Sequence, residues 1–127
     1  MYTFKKEERL CNKKLIEQLF HNGSSFLCYP YKASWLYIEG PMKFPAQILF
    51  SVSKKRYKRA VDRNLIKRRM REAYRLHKQQ YLYDILNSTN KNIVLSLGYI
   101  GKEIADYDLA EKKLLKLLTQ LCAELKK

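Results

Sequence analysis

The sequence of 127 residues predicts an α+β fold, a two-layer sandwich in which helices pack on a small mixed sheet of about four strands. Two segments in the middle alternate with period two and are rich in aromatic residues, which is typical of strands. Apolar residues recur at helical spacing near both ends and after the second of these segments. The predicted order is helix, two or three strands, helix, strand, helix, in one domain that spans residues 1–127.

The first predicted element is a short amphipathic helix over about residues 13–21. Asn12 precedes it as a candidate N-cap, and Gly23 follows it as a candidate C-cap. Phe20, near the end of this helix, has two interpretations. An aromatic residue at such a position is more often a core anchor, but Phe20 could instead line a groove.

Two strands are predicted next. Tyr31–Ile38 follows Pro30 and carries Tyr, Ala, Trp and Tyr at alternate positions. Ala46–Ser53 alternates again, with apolar residues on one face and a more polar second face. A turn at Gly40-Pro41 separates the two segments, so we expect them to pair as a hairpin.

A buried strand and a final helix are predicted toward the C-terminus. Ile93–Leu97 is a short apolar run that predicts a strand inside the sheet, ended by Gly98 and Gly101. Asp106 or Asp108 then caps the last helix. This helix carries an apolar stripe that predicts packing on the core, made of Leu114, Leu117, Leu118, Leu121 and Leu125.

The excess positive charge of the sequence lies in one block. Between Lys54 and Lys78 there are twelve Lys or Arg and two acids, so this block carries +10 of the formal +14. From Asp62 to Lys78 this block has neither Pro nor Gly, which predicts a helix of about four turns or more. After the helix, a loop is expected at 87–90. A local basic block of this kind indicates a polyanionic partner.

The predicted helix carries its basic residues on one side. At about 100° per residue they occupy an arc of roughly 140°, while the apolar residues take the other side with Arg69 among them. Like charges four residues apart oppose each other by a few tenths of a kcal/mol per pair. The arc therefore favours a nucleic-acid interface over a plain solvated helix or a membrane-surface helix. Its members are Arg63, Asn64, Lys67, Arg68, Arg71, Arg75 and Lys78.

The sequence offers no catalytic or metal-ligating constellation. His21 and His77 belong to different predicted helices, and Asp62 and Glu72 are about 15 Å apart along one helix at 1.5 Å per residue. We therefore expect no catalytic residue and no metal site on the protein.

The cellular compartment follows from three absences. The three cysteines form no C-x-x-C pair and are expected to be reduced thiols. No apolar run approaches the roughly 18 residues that a transmembrane helix needs, and the charged N-terminus lacks the apolar region of a signal peptide. The predicted localisation is cytoplasmic.

A specific motif lies within the basic block. Residues 51–55 read Ser-Val-Ser-Lys-Lys, and residues 60–72 read Ala-Val-x-Arg-Asn-x-x-Lys-Arg-x-x-Arg-Glu. This combination resembles the signature of the bacterial ribonuclease P protein family, and the similarity covers nearly the whole chain. Leu65, Arg69 and Ile16 depart from it, since the family usually has an arginine-like residue, an apolar residue and a phenylalanine there.

The resemblance implies the protein subunit of a ribonucleoprotein that removes the 5′ leader from precursor tRNA. In that family the RNA subunit performs the hydrolysis with bound Mg²⁺, so the protein alone should cleave nothing and should need no cofactor of its own. The implied partners are the ribonuclease P RNA and precursor tRNA, without a membrane or an obligate protein partner. The implied fold has a left-handed βαβ crossover, as in the second domain of a small-subunit ribosomal protein.

The resemblance also implies two groups of site residues. A cleft beside the first helix would hold the single-stranded leader, near Ile16, Phe20 and Ser51. The RNA-binding residues would be Lys54, Lys55, Arg56, Arg59, Arg63, Asn64, Lys67, Arg68, Arg71 and Arg75.

Two other functions remain open from the residues alone. One is a ribosomal or other structural RNA-binding protein with no role in cleavage. The other is a helix-based DNA-binding regulator, although a strand rather than a helix precedes the basic helix.

Overall fold

The computed structural model describes residues 4–40 and 42–126, and its strands form one mixed sheet. In chain order the strands are β1 (Ser24–Cys28), β2 (Tyr31–Ile38), β3 (Ala46–Val52) and β4 (Asn92–Tyr99). Their order across the sheet is β1-β2-β4-β3. Of the turn predicted at Gly40-Pro41, Pro41 lies outside the described residues.

The helices are α1 (Lys13–Asn22), α2 (Ala60–Lys78), α3 (Asp84–Thr89) and α4 (Tyr107–Leu125). A π-helical turn, Gln79–Tyr83, joins α2 to α3 without a break. The loop predicted at 87–90 is therefore wrong for its first three residues. The helix ends only at Asn90, whose φ of 55° lies in the left-handed region that asparagine tolerates.

The predicted pairing of the two middle strands is wrong. β4 lies between them, antiparallel to β2 and parallel to β3, and β2 instead forms a hairpin with β1. The alternating pattern of β2 and β3 reports which face each residue takes, but it carries no information on the neighbouring strand. The apolar β4 is buried on both faces, which suits a central position.

The glycines of β4 also differ from expectation. Gly98 does not end the strand, because it pairs with Lys32 on one side and Ser51 on the other.

The parallel strands β3 and β4 are joined through α2, as a βαβ unit requires. The left hand of this crossover stays a prediction.

The main core lies on one face of the sheet, under α2 and α4. Ile66 and Met70 of α2 are buried there, and every leucine of the predicted stripe on α4 is buried with them. Asp106 is the residue that caps α4, where its carboxylate accepts a hydrogen bond from Leu109 N at 2.9 Å. The predicted last helix is thus confirmed.

On the opposite face, α1 covers part of the sheet. Leu10 and Leu19 are buried there against Val94 of β4. The predicted N-cap is confirmed, since the Asn12 side chain accepts hydrogen bonds from two backbone N–H groups of the first turn. Gly23 is the C-cap residue, as predicted, and a side chain does not fit there, because a Cβ would lie 2.4 Å from Leu19 O.

The cysteines are unpaired, as predicted: Cys28 and Cys122 are buried and Cys11 is exposed. Among the described residues, no helix combines the length and the apolar character needed to cross a membrane.

Candidate nucleic-acid interface

The turn between β3 and α2 is fixed by internal hydrogen bonds. Tyr57 is buried, and its hydroxyl donates to Gly101 O at 2.7 Å. One nitrogen of the Arg63 guanidinium donates to Tyr57 O and Lys58 O, both at 2.8 Å. Arg63 therefore holds the turn in addition to any contact with RNA. The helical arc does not reveal this role, because the partners of Arg63 lie in the turn before the helix.

The exposed residues of this turn extend the cationic surface beyond α2. Lys54, Lys55, Arg56 and Arg59 are all exposed. Arg59 is the N-cap residue of α2, so these cations lie next to the positive end of the helix dipole. Cations at that end are unfavourable for the isolated fold, and an anionic partner would relieve the repulsion.

The middle of α2 presents a group of cations that form no ion pair with a described carboxylate, and we call this group the open arc: Lys67, Arg68 and Arg71. These residues line one shallow concavity with Asn64, Val61 and Leu65. Within the described part of the chain, no carboxylate lies within 4.0 Å of their charged nitrogens. The open arc is thus available to external phosphates.

Other cations of α2 are engaged within the protein. Arg75 forms an ion pair with Glu72, with 2.6 Å between Nη2 and Oε1, and hydrogen bonds from Arg75 lower the pKa of Glu72. Arg69 donates to Ala105 O at 2.6 Å, which explains why an arginine lies among the apolar residues. We call Arg69, Arg75 and Lys78 the tied cations.

Lys78 is the clearest departure from the predicted arc. Its side chain is only 7% exposed and forms an ion pair with Glu8, whose side chain is 1% exposed. The hydroxyl of Tyr83 also donates to this carboxylate, at 2.7 Å. Helical periodicity could not reveal this, because Glu8 comes from a distant part of the chain.

The ionisation of this buried pair reflects its surroundings. Burial alone would raise the pKa of Glu8, but hydrogen bonds from Lys5 N–H, Lys78 and Tyr83 hold it below its ordinary value. Burial lowers the pKa of Lys78, and Glu8 opposes that shift. Burial also raises the pKa of Tyr83, so its hydroxyl stays a donor.

Beside α1, part of the second face of the sheet is left uncovered, with Lys32 and Ser51 exposed, and we call this surface the cleft. Its floor includes a row in which Lys32 and Ser51 flank Gly98 on neighbouring strands. A Cβ on Gly98 would lie 3.3 Å from Ser51 Oγ. Because Gly98 has no side chain, nothing rises from the sheet surface between Lys32 and Ser51. The next row contains the half-buried Ser34, the buried Ser96 and Leu49, so the exposed polar part of the floor is the row of Lys32 and Ser51 together with Ser34.

The wall of the cleft is α1. Phe20 is 61% exposed, so the interpretation of Phe20 as a core anchor is wrong, and the neighbouring Leu19, 1% exposed, has that role. Ile16 is half-buried beside the Leu10 cluster, while Ser51 is exposed. Of the cleft residues, sequence reasoning missed Lys32, although its place on the polar face of β2 was a usable signal.

Within residues 4–40 and 42–126, no group of three or more His, Cys, Asp or Glu side chains is placed to hold a metal ion. The cationic helix and the neighbouring cleft, with its exposed aromatic ring, have the chemistry to bind and position a polyanion.

Comparison with known proteins agrees with the motif and with the fold. A family model described as Ribonuclease P matches residues 4–122. A ribonuclease P protein component from Porphyromonas gingivalis is 32% identical over 120 residues, which cover 94% of this chain and 87% of that protein. Another, from Chlorobaculum tepidum, is 47% identical over 70 residues, covering 52% of this chain and 45% of that protein.

Solved structures share the fold. The RNase P protein of Staphylococcus aureus matches with a TM-score of 0.69 at 21% identity, covering 90% of this chain and 94% of that chain. The Thermotoga maritima protein gives 0.68 at 23% identity, covering 89% and 96%. The chain therefore belongs to the ribonuclease P protein family and is an RNA-binding protein subunit of that tRNA-processing ribonucleoprotein endoribonuclease.

Proposed function

We propose that the open arc binds the backbone of the ribonuclease P RNA, and that the cleft beside α1 holds the 5′ leader of precursor tRNA. The observation that carries the proposal is that Lys67, Arg68 and Arg71 lie together without carboxylate partners among the described residues. Each cation that neutralises a phosphate releases condensed counterions, which favours binding in a salt-dependent way. Phosphate contacts position the partner without reading its sequence.

The cleft suits an unpaired strand. The exposed ring of Phe20 offers a face on which a base can stack, worth about 1–3 kcal/mol for any base. The hydroxyls of Ser34 and Ser51 can donate to phosphate, and they can donate to or accept from ribose hydroxyls and base edges, while Lys32 adds a positive charge. The leader would therefore be bound with little dependence on its sequence.

The protein's contribution is electrostatic and positional in this proposal. The RNA subunit with its Mg²⁺ supplies the hydrolytic chemistry, and the protein binds no cofactor and works in the cytoplasm without an obligate protein partner. The ribosomal and DNA-binding alternatives are set aside because the family assignment covers residues 4–122.

Reconstitution tests the proposal. The protein should not cleave precursor tRNA alone, and it should stimulate cleavage by a bacterial ribonuclease P RNA at low Mg²⁺ concentration. The variant Arg68→Ala/Arg71→Ala should lose most of this stimulation, and high protein concentration should restore it, because only RNA affinity is reduced. Full stimulation by the variant at limiting protein concentration would contradict the role of the open arc.

A further inference from the structure

A small notch lies between the open arc and the cleft, where the N-terminal segment crosses the edge of the sheet. It has a volume of about 220 Å³. Three cations line it: Lys67 and Arg71 from α2, and Arg9 from the segment before α1. None of its described lining residues is acidic. Arg9 belongs to neither group of site residues predicted from the sequence.

The backbone around Arg9 is held on both sides. Glu8 is tied down by the buried ion pair with Lys78. Leu10 N donates to Ile48 O at 2.9 Å, and Arg9 itself forms a β-bridge with Ile48 of the edge strand. The backbone of Arg9 is therefore fixed against β3, and only its side chain is left to adjust.

The side chain of Arg9 is also partly oriented. Its guanidinium carbon lies 5.5 Å from the centre of the Phe4 ring, a cation–π contact that leaves the guanidinium edge able to donate hydrogen bonds. Arg9 is exposed and forms no ion pair with a described carboxylate. Such preorganisation lowers the entropy lost on binding an anion.

The charges of the notch repel one another in the free protein. Lys67 and Arg71 are four residues apart on α2, and Arg9 brings a third positive charge to the same cavity. A phosphate placed among them would relieve this repulsion and could accept two parallel hydrogen bonds from a guanidinium.

The notch is continuous with both parts of the interface. Leu10 and Leu49 line it and also pack in the cluster beneath α1, while Lys67 and Arg71 belong to the open arc. A strand that leaves the cleft across β3 toward α2 would pass over this notch.

We propose that the notch is a phosphodiester-binding site in which Arg9 acts with Lys67 and Arg71. The inference rests on the proposed function, since it takes the phosphodiester from RNA bound there. The ligand chemistry is the same whether the phosphate belongs to the leader or to the RNA subunit, and the two sources are separated by experiment.

The test compares Arg9→Gln with Arg9→Lys and with a control, Lys6→Gln, which removes an exposed charge from the same segment outside the notch. Affinity for the ribonuclease P RNA is measured over a range of salt concentrations. The reconstituted enzyme is then titrated with leader-bearing precursor and with mature tRNA.

Arg9→Gln should weaken one of these interactions by about tenfold, as expected for a charged hydrogen bond, and should lower its salt slope by about 0.7–0.9. Arg9→Lys should keep the slope, since it keeps the charge. A loss in RNA-subunit affinity assigns the phosphate to that RNA, and a loss confined to leader-bearing precursor assigns it to the leader.

The proposal is overturned if Arg9→Gln behaves like Lys6→Gln in both measurements. Arg68→Ala, whose side chain lies outside the notch, is measured in parallel. If Arg68→Ala weakens binding to the RNA subunit while Arg9→Gln changes neither that affinity nor the affinity for leader-bearing precursor, the notch assignment alone is wrong. If neither variant changes either affinity, the proposed role of α2 is wrong as well. Thermal unfolding of Arg9→Gln should match that of the parent, since Arg9 is exposed.

Discussion

The open arc and the tied cations lie on the same helix and are made of the same residue types, yet they differ in what they contact. Lys67, Arg68 and Arg71 have no carboxylate partner among the described residues. Arg69 donates to the backbone carbonyl of Ala105, and Lys78 forms an ion pair with the buried Glu8. The tied cations therefore take part in interactions that belong to the fold, whereas the charges of the open arc repel one another in the free protein. Charge density in the sequence does not separate these two roles.

The largest expected effect is on stability, at the tied end of the helix. Lys78→Ala leaves the Glu8 carboxylate buried without its cation, which should cost about 3–5 kcal/mol of unfolding free energy. Urea denaturation measures this. The double variant Glu8→Leu/Lys78→Met should recover part of the loss, because an apolar pair replaces the ion pair, while the Tyr83 hydroxyl and the Lys5 N–H lose their acceptor. A single variant as stable as the parent would mean that Lys78 does not belong to the tied cations.

The open arc should show the opposite pattern. Arg68→Ala/Arg71→Ala should weaken binding to the ribonuclease P RNA by about tenfold or more, since two charged contacts are lost. Its unfolding free energy should stay within about 0.5 kcal/mol of the parent, because both side chains are exposed. Filter binding and urea denaturation on the same preparations give the two values. If this double variant loses stability but keeps its RNA affinity, Arg68 and Arg71 stabilise the fold and do not bind RNA, which contradicts the distinction from the tied cations.

A smaller effect is expected at the cleft wall. Phe20→Ala should lower affinity for leader-bearing precursor relative to mature tRNA by about 1–3 kcal/mol, the value of one stacked base. Because Phe20 is 61% exposed, the unfolding free energy of the Phe20→Ala variant should differ little from that of the parent. The matched control is Leu19→Ala, which should destabilise the fold by about 2–5 kcal/mol. Equal losses for both tRNA substrates would remove Phe20 from the leader site.

The smallest effect concerns pH. The folded-state pKa of Glu8 lies below its ordinary value of 4.5, so the carboxylate contributes stability above that pH. This contribution is lost as the pH falls through the folded-state pKa. Between pH 7 and about pH 3, the parent should therefore lose more stability than Glu8→Leu/Lys78→Met. If both proteins lose the same unfolding free energy on acidification, the buried pair is not a source of the pH dependence.

Local features of the fold were predictable from the sequence, and long-range ones were not. The strand formers of β2, the Asn12 cap and the leucines of α4 follow from patterns that span a few residues. The position of β4 between β2 and β3 depends on contacts between distant segments, which alternation does not encode.

The same limit applies to the interface. The motif placed the open arc on one helix, because spacing of three and four residues defines a helical face. The engagement of Lys78 by Glu8 and of Arg69 by Ala105 involves partners far away in the chain. Arg9 was missed for a similar reason, since its nearness to Lys67 and Arg71 exists only in the folded chain.

Arg68 and Arg69 are adjacent arginines of α2, one in the open arc and one tied to Ala105 O. The salt dependence of binding to the ribonuclease P RNA should therefore be compared for Arg68→Gln and Arg69→Gln. If the unpaired cations screen RNA phosphates, Arg68→Gln should reduce the slope of log affinity against log salt by about 0.7–0.9, and Arg69→Gln should leave it unchanged. Equal slopes for both variants, or a change in Arg69→Gln alone, would contradict that role.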